Sequence, residues 1–150
     1  MGGEPKGNAR VCRFEGSLLR RLLLDTTFIV DAERSETDLD EVILDDDDVA
    51  VAAITIAELG VGVELSNGKI RALRQQLLDE VLAEIPVLGY DIDVARFHAQ
   101  LLVAVRHQGR PRGAHDLIIA ATALSSARVV VSADRTAFID LPGVSLLTYR

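Results

Sequence analysis

Four short apolar segments that alternate with helical patterns constrain the fold of this chain most. They cover residues 20–24, 49–54, 87–90 and 129–131, and residues 144–147 supply a candidate edge strand. Continuous runs of Leu, Val and Ile are typical of strands that are buried on both faces. Strands that alternate with helices join through right-handed crossovers. We therefore predict a three-layer α/β/α fold with a central parallel sheet of four to five strands.

The stretches between these strands carry helical signals. In residues 69–84, Ile70, Leu73 and Leu77 recur at helical spacing, and Pro86 ends the pattern. A further helix is expected directly after Asp25. The other predicted helices cover residues 38–44, 55–65, 93–107 and 115–126.

Length and composition limit the class of protein. The chain has 150 residues, of which 49% are hydrophobic, and this is enough for one domain with its own core. We predict a flexible N-terminal extension over residues 1–18, which lack apolar periodicity, and a single domain over residues 19–150. No apolar run approaches the roughly 18 residues that span a bilayer. The single cysteine, Cys12, fits a reducing compartment, so we expect a cytoplasmic protein.

The charge balance excludes one mode of nucleic-acid binding. A net charge of −7 argues against capture of nucleic acid by a broad basic surface. We expect the run Asp45–Asp48 to stay in an exposed loop because its charges repel one another. Surplus carboxylates elsewhere can hold a divalent cation, which reverses the local sign of the field and admits a phosphate.

Acidic residues stand at the expected carboxyl ends of the strands. Asp25 ends the first strand, Glu58 follows the second, and Asp134 follows the fourth. Asp116 opens the buried helix that leads to the fourth strand. Ligands in open α/β sheets bind beyond the carboxyl ends of the strands. Carboxylates that converge there repel unless a cation separates them, and Mg²⁺ is the natural occupant, with Mn²⁺ as a substitute.

Each acid also has a structural interpretation. Asp25 can cap the first helix, and Thr55–Glu58 has the pattern of a capping box. Asp116 and Asp134 can be a helix cap and a turn residue. Single positions favour these structural roles, and only the joint pattern favours a metal site.

Four segments together resemble the PIN-domain nucleases, and most of all the VapC-type toxins of bacterial toxin–antitoxin modules. They read LDTTFI at 24–29, TIAEL at 55–59, DLIIAATA at 116–123 and SAD at 132–134. Their order and spacing are specific, although each motif alone is weak. The resemblance extends over roughly residues 22–150 and implies a PIN-like fold.

The resemblance also implies an activity and a site. Asp25, Glu58, Asp116 and Asp134 match the acidic catalytic and metal-binding residues of the family. Thr27 and Ser132 match positions where the family places hydroxyls that orient the acids or a bound water. The implied function is a Mg²⁺-dependent endoribonuclease toxin that hydrolyses RNA phosphodiester bonds with a metal-activated water. The implied partners are an RNA substrate, a cognate VapB-like antitoxin and a second copy of the chain.

Two features complicate this interpretation. Many relatives carry an acid immediately before the phenylalanine that follows the fourth acid, whereas this chain has Ala137 before Phe138, so that Asp134 carries that corner alone. The densest basic patch, Arg106 to His115, directly precedes Asp116. Its Arg110 and Arg112 are candidate RNA contacts. We expect His107 and His115 to be solvated loop residues rather than metal ligands.

Two other metal-binding protein classes fit the sequence less well than a nuclease. A signalling receiver domain needs an acidic pair and a late lysine, yet the only lysines are Lys6 and Lys69. An integrin-type adhesion site needs a second hydroxyl where Ile29 stands. A catalytically weak PIN-like module that binds other proteins remains the alternative, because no acid stands at position 137.

Overall fold

Strands and helices alternate along the chain. The computed structural model describes residues 11–14, 17–35 and 38–150. In chain order the elements are β1 (Val11–Phe14), β2 (Ser17–Leu24), α1 (Thr26–Glu33), α2 (Leu39–Val42), β3 (Asp48–Ala52), α3 (Ala53–Glu64), α4 (Gly68–Glu84), β4 (Val87–Leu88), α5 (Ile92–Gln108), α6 (Ala114–Ser126), β5 (Val129–Val131), α7 (Arg135–Phe138) and β6 (Leu146–Leu147).

The central sheet has the strand order β4-β3-β2-β5-β6, and every pair along this path is parallel. In the middle of the sheet, Leu23 is paired with Ala50 on one side and with Val130 on the other. The predicted three-layer fold with a parallel sheet is therefore confirmed. The chain moves from β2 through β3 to β4 on one side and then returns to β5 and β6 on the other. The β2–β5 boundary is thus a topological switch point, where ligands of such sheets bind.

Both faces of the sheet are covered, as the apolar segments of its strands predict. Successive side chains of β2 point to opposite faces. Leu23 packs in one core cluster with residues of α5 and α6, such as Leu101 and Ile119. Leu22 and Leu24 pack in the other cluster, against α1, α3 and α4. The sheet is therefore a rigid platform whose carboxyl edge carries the candidate site.

The prediction that the whole run Asp45–Asp48 lies in an exposed loop is wrong. The Asp47 side chain is only 2% exposed and pairs with Arg20 at 2.5 Å. Asp48 begins β3 and accepts a bond from the nearly buried Arg128 at 3.1 Å. Basic residues that are distant in sequence neutralise this part of the run, whereas Asp45 and Asp46 are exposed as expected. These pairs lie at the edge of the sheet where the strands begin, away from the candidate site.

The last residues of the chain reach back to α1. The buried Asp31 accepts hydrogen bonds on Oδ2 from the Tyr149 hydroxyl at 2.6 Å and from Arg150 Nη2 at 2.7 Å. Burial, followed by the bond to Asp31, raises the pKa of Tyr149 to about 12. Tyr149 also meets Phe28 edge to face, with 5.1 Å between ring centroids. These contacts fix the helix that follows Asp25.

The N-terminal part of the fold begins earlier than its sequence indicates. β2 starts at Ser17 rather than Arg20, and β1 pairs with it in antiparallel register, Val11 opposite Arg20. Residues 1–10 of the proposed extension lie outside the described residues, and the division at residue 18 stays a prediction. Within the described ranges, the helices are too short or too polar to cross a membrane.

Candidate active site

Asp25 is buried where β2 ends and α1 begins. Its side chain is fixed by three donors: Thr26 N to Oδ1 at 2.8 Å, Thr27 Oγ1 to Oδ2 at 3.1 Å and Ser132 Oγ to Oδ2 at 2.6 Å. The bond from Thr26 makes Asp25 the N-cap of α1. The structural interpretation of this acid therefore holds, and it leaves the carboxylate at the carboxyl edge of the central strand.

The two predicted hydroxyls connect Asp25 to the loop after β5. Ser132 is completely buried, lies 3.2 Å from Thr27 Oγ1 and accepts a bond from Asp134 N at 3.0 Å. Thr27 Oγ1 also accepts a bond from Ala133 N at 3.3 Å. This network fixes the orientation of Asp25 relative to the segment that carries Asp134.

The predicted capping box at Glu58 is wrong. Helix α3 begins at Ala53, two residues earlier than expected, because β3 ends at Ala52, which is the N-cap. Thr55 therefore lies inside the first turn, and its buried hydroxyl has no hydrogen-bond partner among the described residues. Glu58 Oε1 instead accepts a bond from Thr26 Oγ1 at 2.8 Å. Glu58 Oε2 lies 3.6 Å from His115 Nδ1, so Glu58 faces the site.

Asp116 lies in the first turn of α6, where a helix favours negative charge. A Cβ atom at Gly113 would lie 2.7 Å from Asp116 Oδ2, so any larger residue there would displace the carboxylate. Burial, followed by the negative charges of Asp25, Asp134 and Glu58, raises the pKa of Asp116 to about 6.

Asp134 is exposed and caps the short helix α7. Its Oδ1 accepts bonds from Thr136 Oγ1 at 2.9 Å and from Ala137 N at 3.2 Å. Ala137 is 6% exposed and packs in the core beside Phe138. At this corner of the site, Asp134 is thus the acid that the structure provides.

The four acids face one shared space. Burial raises the pKa of Asp25 against the opposing effect of its three hydrogen bonds, and the charge of Glu58 adds to the increase. Asp116 is affected by all three other acids. The fold therefore brings together carboxylates that are as much as 109 positions apart in sequence, from Asp25 to Asp134. Their catalytic role stays a prediction.

The chemistry of this donor set fits a hard divalent cation. Oxygen ligands suit Mg²⁺ and Mn²⁺, and a cation would relieve the repulsion that adds to burial in raising the pKa of Asp116. Across residues 11–14, 17–35 and 38–150, however, no three His, Cys, Asp or Glu side chains are already arranged to hold a metal ion. Asp25, Glu58 and Asp134 each accept hydrogen bonds from protein donors, and a carboxylate oxygen that accepts such a bond keeps a further lone pair for a cation.

The two arginines predicted to contact RNA have partners within the protein. Arg112 donates to the carbonyl oxygens of Ala137 at 3.2 Å and Ile139 at 2.8 Å. Arg110 pairs with Asp140 at 3.0 Å. These contacts connect the loop before Asp116 to the end of α7, and an RNA role for either arginine stays a prediction.

Comparison with known proteins identifies the family. The PIN domain matches residues 22–143, which include all four acids. The chain belongs to the PIN domain family. The resemblance inferred from the motifs is thereby confirmed. Among curated PIN relatives, ribonuclease VapC5 of Mycobacterium tuberculosis is 39% identical over 113 residues, which are 75% of this chain and 82% of that protein. Toxin FitB of Neisseria gonorrhoeae is 33% identical over 127 residues, 78% of this chain and 90% of FitB.

A solved structure agrees with this PIN assignment. The VapBC-5 toxin–antitoxin structure from Mycobacterium tuberculosis superposes with a TM-score of 0.70 at 34% identity. The match covers 87% of this chain and 98% of that one. The alternation of strands and helices described above is therefore the PIN architecture.

Proposed function

We propose that this protein is a Mg²⁺-dependent endoribonuclease, the toxin of a VapBC-type toxin–antitoxin module. The observation that carries the proposal is the convergence of Asp25, Glu58, Asp116 and Asp134. Burial raises the pKa of Asp116 to about 6, and the charges of the three other acids add to this rise. The names of the relatives support it, since ribonuclease VapC5 is 39% identical to this chain.

Asp25 and Asp116 would hold the ion, with Glu58 and Asp134 completing its surroundings. When bound, Mg²⁺ or Mn²⁺ would activate a water for attack on phosphorus and offset charge on the leaving oxygen. The contribution of the protein is to fix its carboxylates before substrate arrives. Ser132 and Thr27 do this for Asp25 through bonds of 2.6 and 3.1 Å.

A groove beside the acids is the surface that we propose for the antitoxin. Its volume is about 590 Å³, and it lies between α1, α3 and α4. Ile70 and Leu73 line it together although they are 58% and 61% exposed, and adjoining exposed apolar side chains form the kind of patch that marks an interaction surface. An amphipathic helix would fit such a groove. Because Thr26 and Glu58 also line it, a bound helix would cover one side of the acidic site.

We also propose a homodimer. A second cavity of about 330 Å³, mostly apolar, lies beside β4 and includes Tyr90 and Leu88 in its lining. The neighbouring Ile92 is 72% exposed and Val87 is 40% exposed. Static light scattering tests this assignment: Ile92→Asp is expected to shift a dimer toward monomer, and an unchanged mass would contradict it.

Cleavage of RNA by the purified protein tests the enzymatic proposal. Activity is expected with Mg²⁺ and is expected to be lost in EDTA and in Asp25→Asn. Asp93→Asn, an exposed acid in the first turn of α5, is the matched control and should retain activity. Cleavage that persists in EDTA or in Asp25→Asn would contradict the metal mechanism.

The binding-module alternative is favoured by one observation, the absence of three side chains already arranged for a metal ion in the described part of the chain. Calorimetry separates the two functions. If the folded protein binds no Mn²⁺ but binds an antitoxin, the alternative replaces the nuclease.

A further inference from the structure

Thr26 contacts two of the four acids at once. Its backbone N–H donates to Asp25 Oδ1 at 2.8 Å, and its hydroxyl donates to Glu58 Oε1 at 2.8 Å. The two acids are 33 positions apart in sequence and come from different elements, the end of β2 and the helix α3. Thr26 is thus a direct link between Asp25 and Glu58.

The position of Thr26 in α1 leaves its hydroxyl available for this bond. A threonine inside a helix commonly donates to the carbonyl oxygen one turn earlier. Thr26 is the first residue of α1, and the residues one turn earlier belong to strand β2. The branched Cβ also restricts the rotamers of the side chain. The hydroxyl is therefore free to donate to Glu58, and the restricted rotamer holds it in that direction.

Glu58 lies at the open border of the site, where such a contact restrains its carboxylate. Its long side chain is 28% exposed and borders the open groove between α1, α3 and α4. Its other carboxylate oxygen lies 3.6 Å from His115 Nδ1, and the His115 side chain is 57% exposed. The bond from Thr26 is the short contact that keeps the carboxylate near Asp25.

We propose that Thr26 is a positioning residue for the metal site, whose hydroxyl holds the Glu58 carboxylate beside Asp25. This inference rests on the proposed metal-dependent function. Loss of the hydroxyl frees Glu58 to rotate toward the groove and solvent, and the site then binds a divalent ion less tightly. The bond from Thr26 N to Asp25 comes from the backbone and is kept in every variant at position 26.

Calorimetric titration with Mn²⁺ tests the proposal without relying on activity. Thr26→Val removes the hydroxyl at nearly constant shape, and Thr26→Ser keeps it. We expect Thr26→Val to weaken Mn²⁺ binding by about tenfold, which is typical for losing a residue that orients a ligand. Thr26→Ser should retain most of the affinity. Urea unfolding in EDTA checks that each variant folds.

A double-mutant cycle assigns the effect to Glu58. In the Glu58→Ala background, Thr26→Val should cause no further loss of Mn²⁺ affinity, because the group that Thr26 positions is gone. An equal loss in both backgrounds would overturn the proposal, as would wild-type affinity in Thr26→Val. If the wild-type protein binds no Mn²⁺, the proposed function fails and this inference fails with it. If wild type binds Mn²⁺ and only the Thr26 effects are absent, the inference alone fails.

Discussion

Replacing Asp116 with asparagine is expected to stabilise the metal-free protein at neutral pH. Burial and three neighbouring acids raise the pKa of Asp116 from 3.8 to about 6. A pKa change of one corresponds to about 1.4 kcal/mol. The rise from 3.8 to about 6 therefore sets an upper bound of about 3 kcal/mol on the cost of ionising Asp116 in the folded state. Because the side chain is partly exposed, solvent screening lowers the expected gain to about 1–2 kcal/mol.

The effect has a defined pH window. The folded protein binds the proton of Asp116 more tightly than the unfolded chain does, since its pKa is raised on folding. The stability that this proton contributes is complete below about pH 4 and is lost as the pH rises to about 6. Wild type and Asp116→Asn should therefore be similar in stability at pH 4, and the variant should be more stable at pH 7.5.

Urea unfolding in EDTA at the two pH values measures this difference. Asp93→Asn is the matched control, because Asp93 also lies in the first turn of a helix but is exposed. It should lower the free energy of unfolding by about 0.3–1 kcal/mol, the worth of a favourable charge at a helix N-terminus. Adding Mg²⁺ should stabilise wild type and leave Asp116→Asn unchanged. An Asp116→Asn protein that is less stable than wild type in EDTA at pH 7.5 would refute the explanation that burial and neighbouring carboxylates make ionised Asp116 unfavourable.

Three further substitutions test other parts of the structure. Tyr149→Phe removes a 2.6 Å bond to the buried Asp31 and should lower the free energy of unfolding by about 1.5–3 kcal/mol; an unchanged urea midpoint would contradict the role given to the C-terminal contacts. Asp47→Asn breaks a largely buried ion pair at the far edge of the sheet, and should cost about 3 kcal/mol of stability while leaving cleavage by the folded protein intact. Alanine at position 113 suits the backbone angles, but its Cβ would lie 2.7 Å from Asp116 Oδ2 and would displace that carboxylate. We therefore expect Gly113→Ala to lower kcat at least about tenfold with little change in thermal midpoint. A normal kcat would show that this close approach is unimportant.

Much of the fold could be predicted because its signals are local. The apolar runs Leu22–Leu24 of β2 and Val129–Val131 of β5 predict strands that are buried on both faces, and parallel pairing then places Asp25 and Ser132 at one edge. The start of α3 could not be predicted in the same way. Residues 49–54 are all apolar, so nothing in the sequence marks where β3 ends, and the Thr55–Glu58 pattern imitates a cap.

Contacts between distant residues account for the remaining differences. Repulsion within Asp45–Asp48 predicts an exposed loop only if no cation approaches, yet Arg20 is supplied by β2 and Arg128 by the segment before β5. The basic loop before Asp116 resembles an RNA contact in sequence, but Arg112 donates to carbonyl oxygens that lie 25 and 27 positions later in the chain. The link from Thr26 to Glu58 has no sequence signal, because it depends on how α1 and α3 pack.

Anomalous diffraction from crystals soaked in Mn²⁺ tests most directly whether these acids form a metal site. We expect an anomalous peak within ligand distance of Asp25 and Asp116, with the Glu58 carboxylate beside it. Absence of a peak there at saturating Mn²⁺, or a peak only at the exposed Asp45 and Asp46, would contradict it.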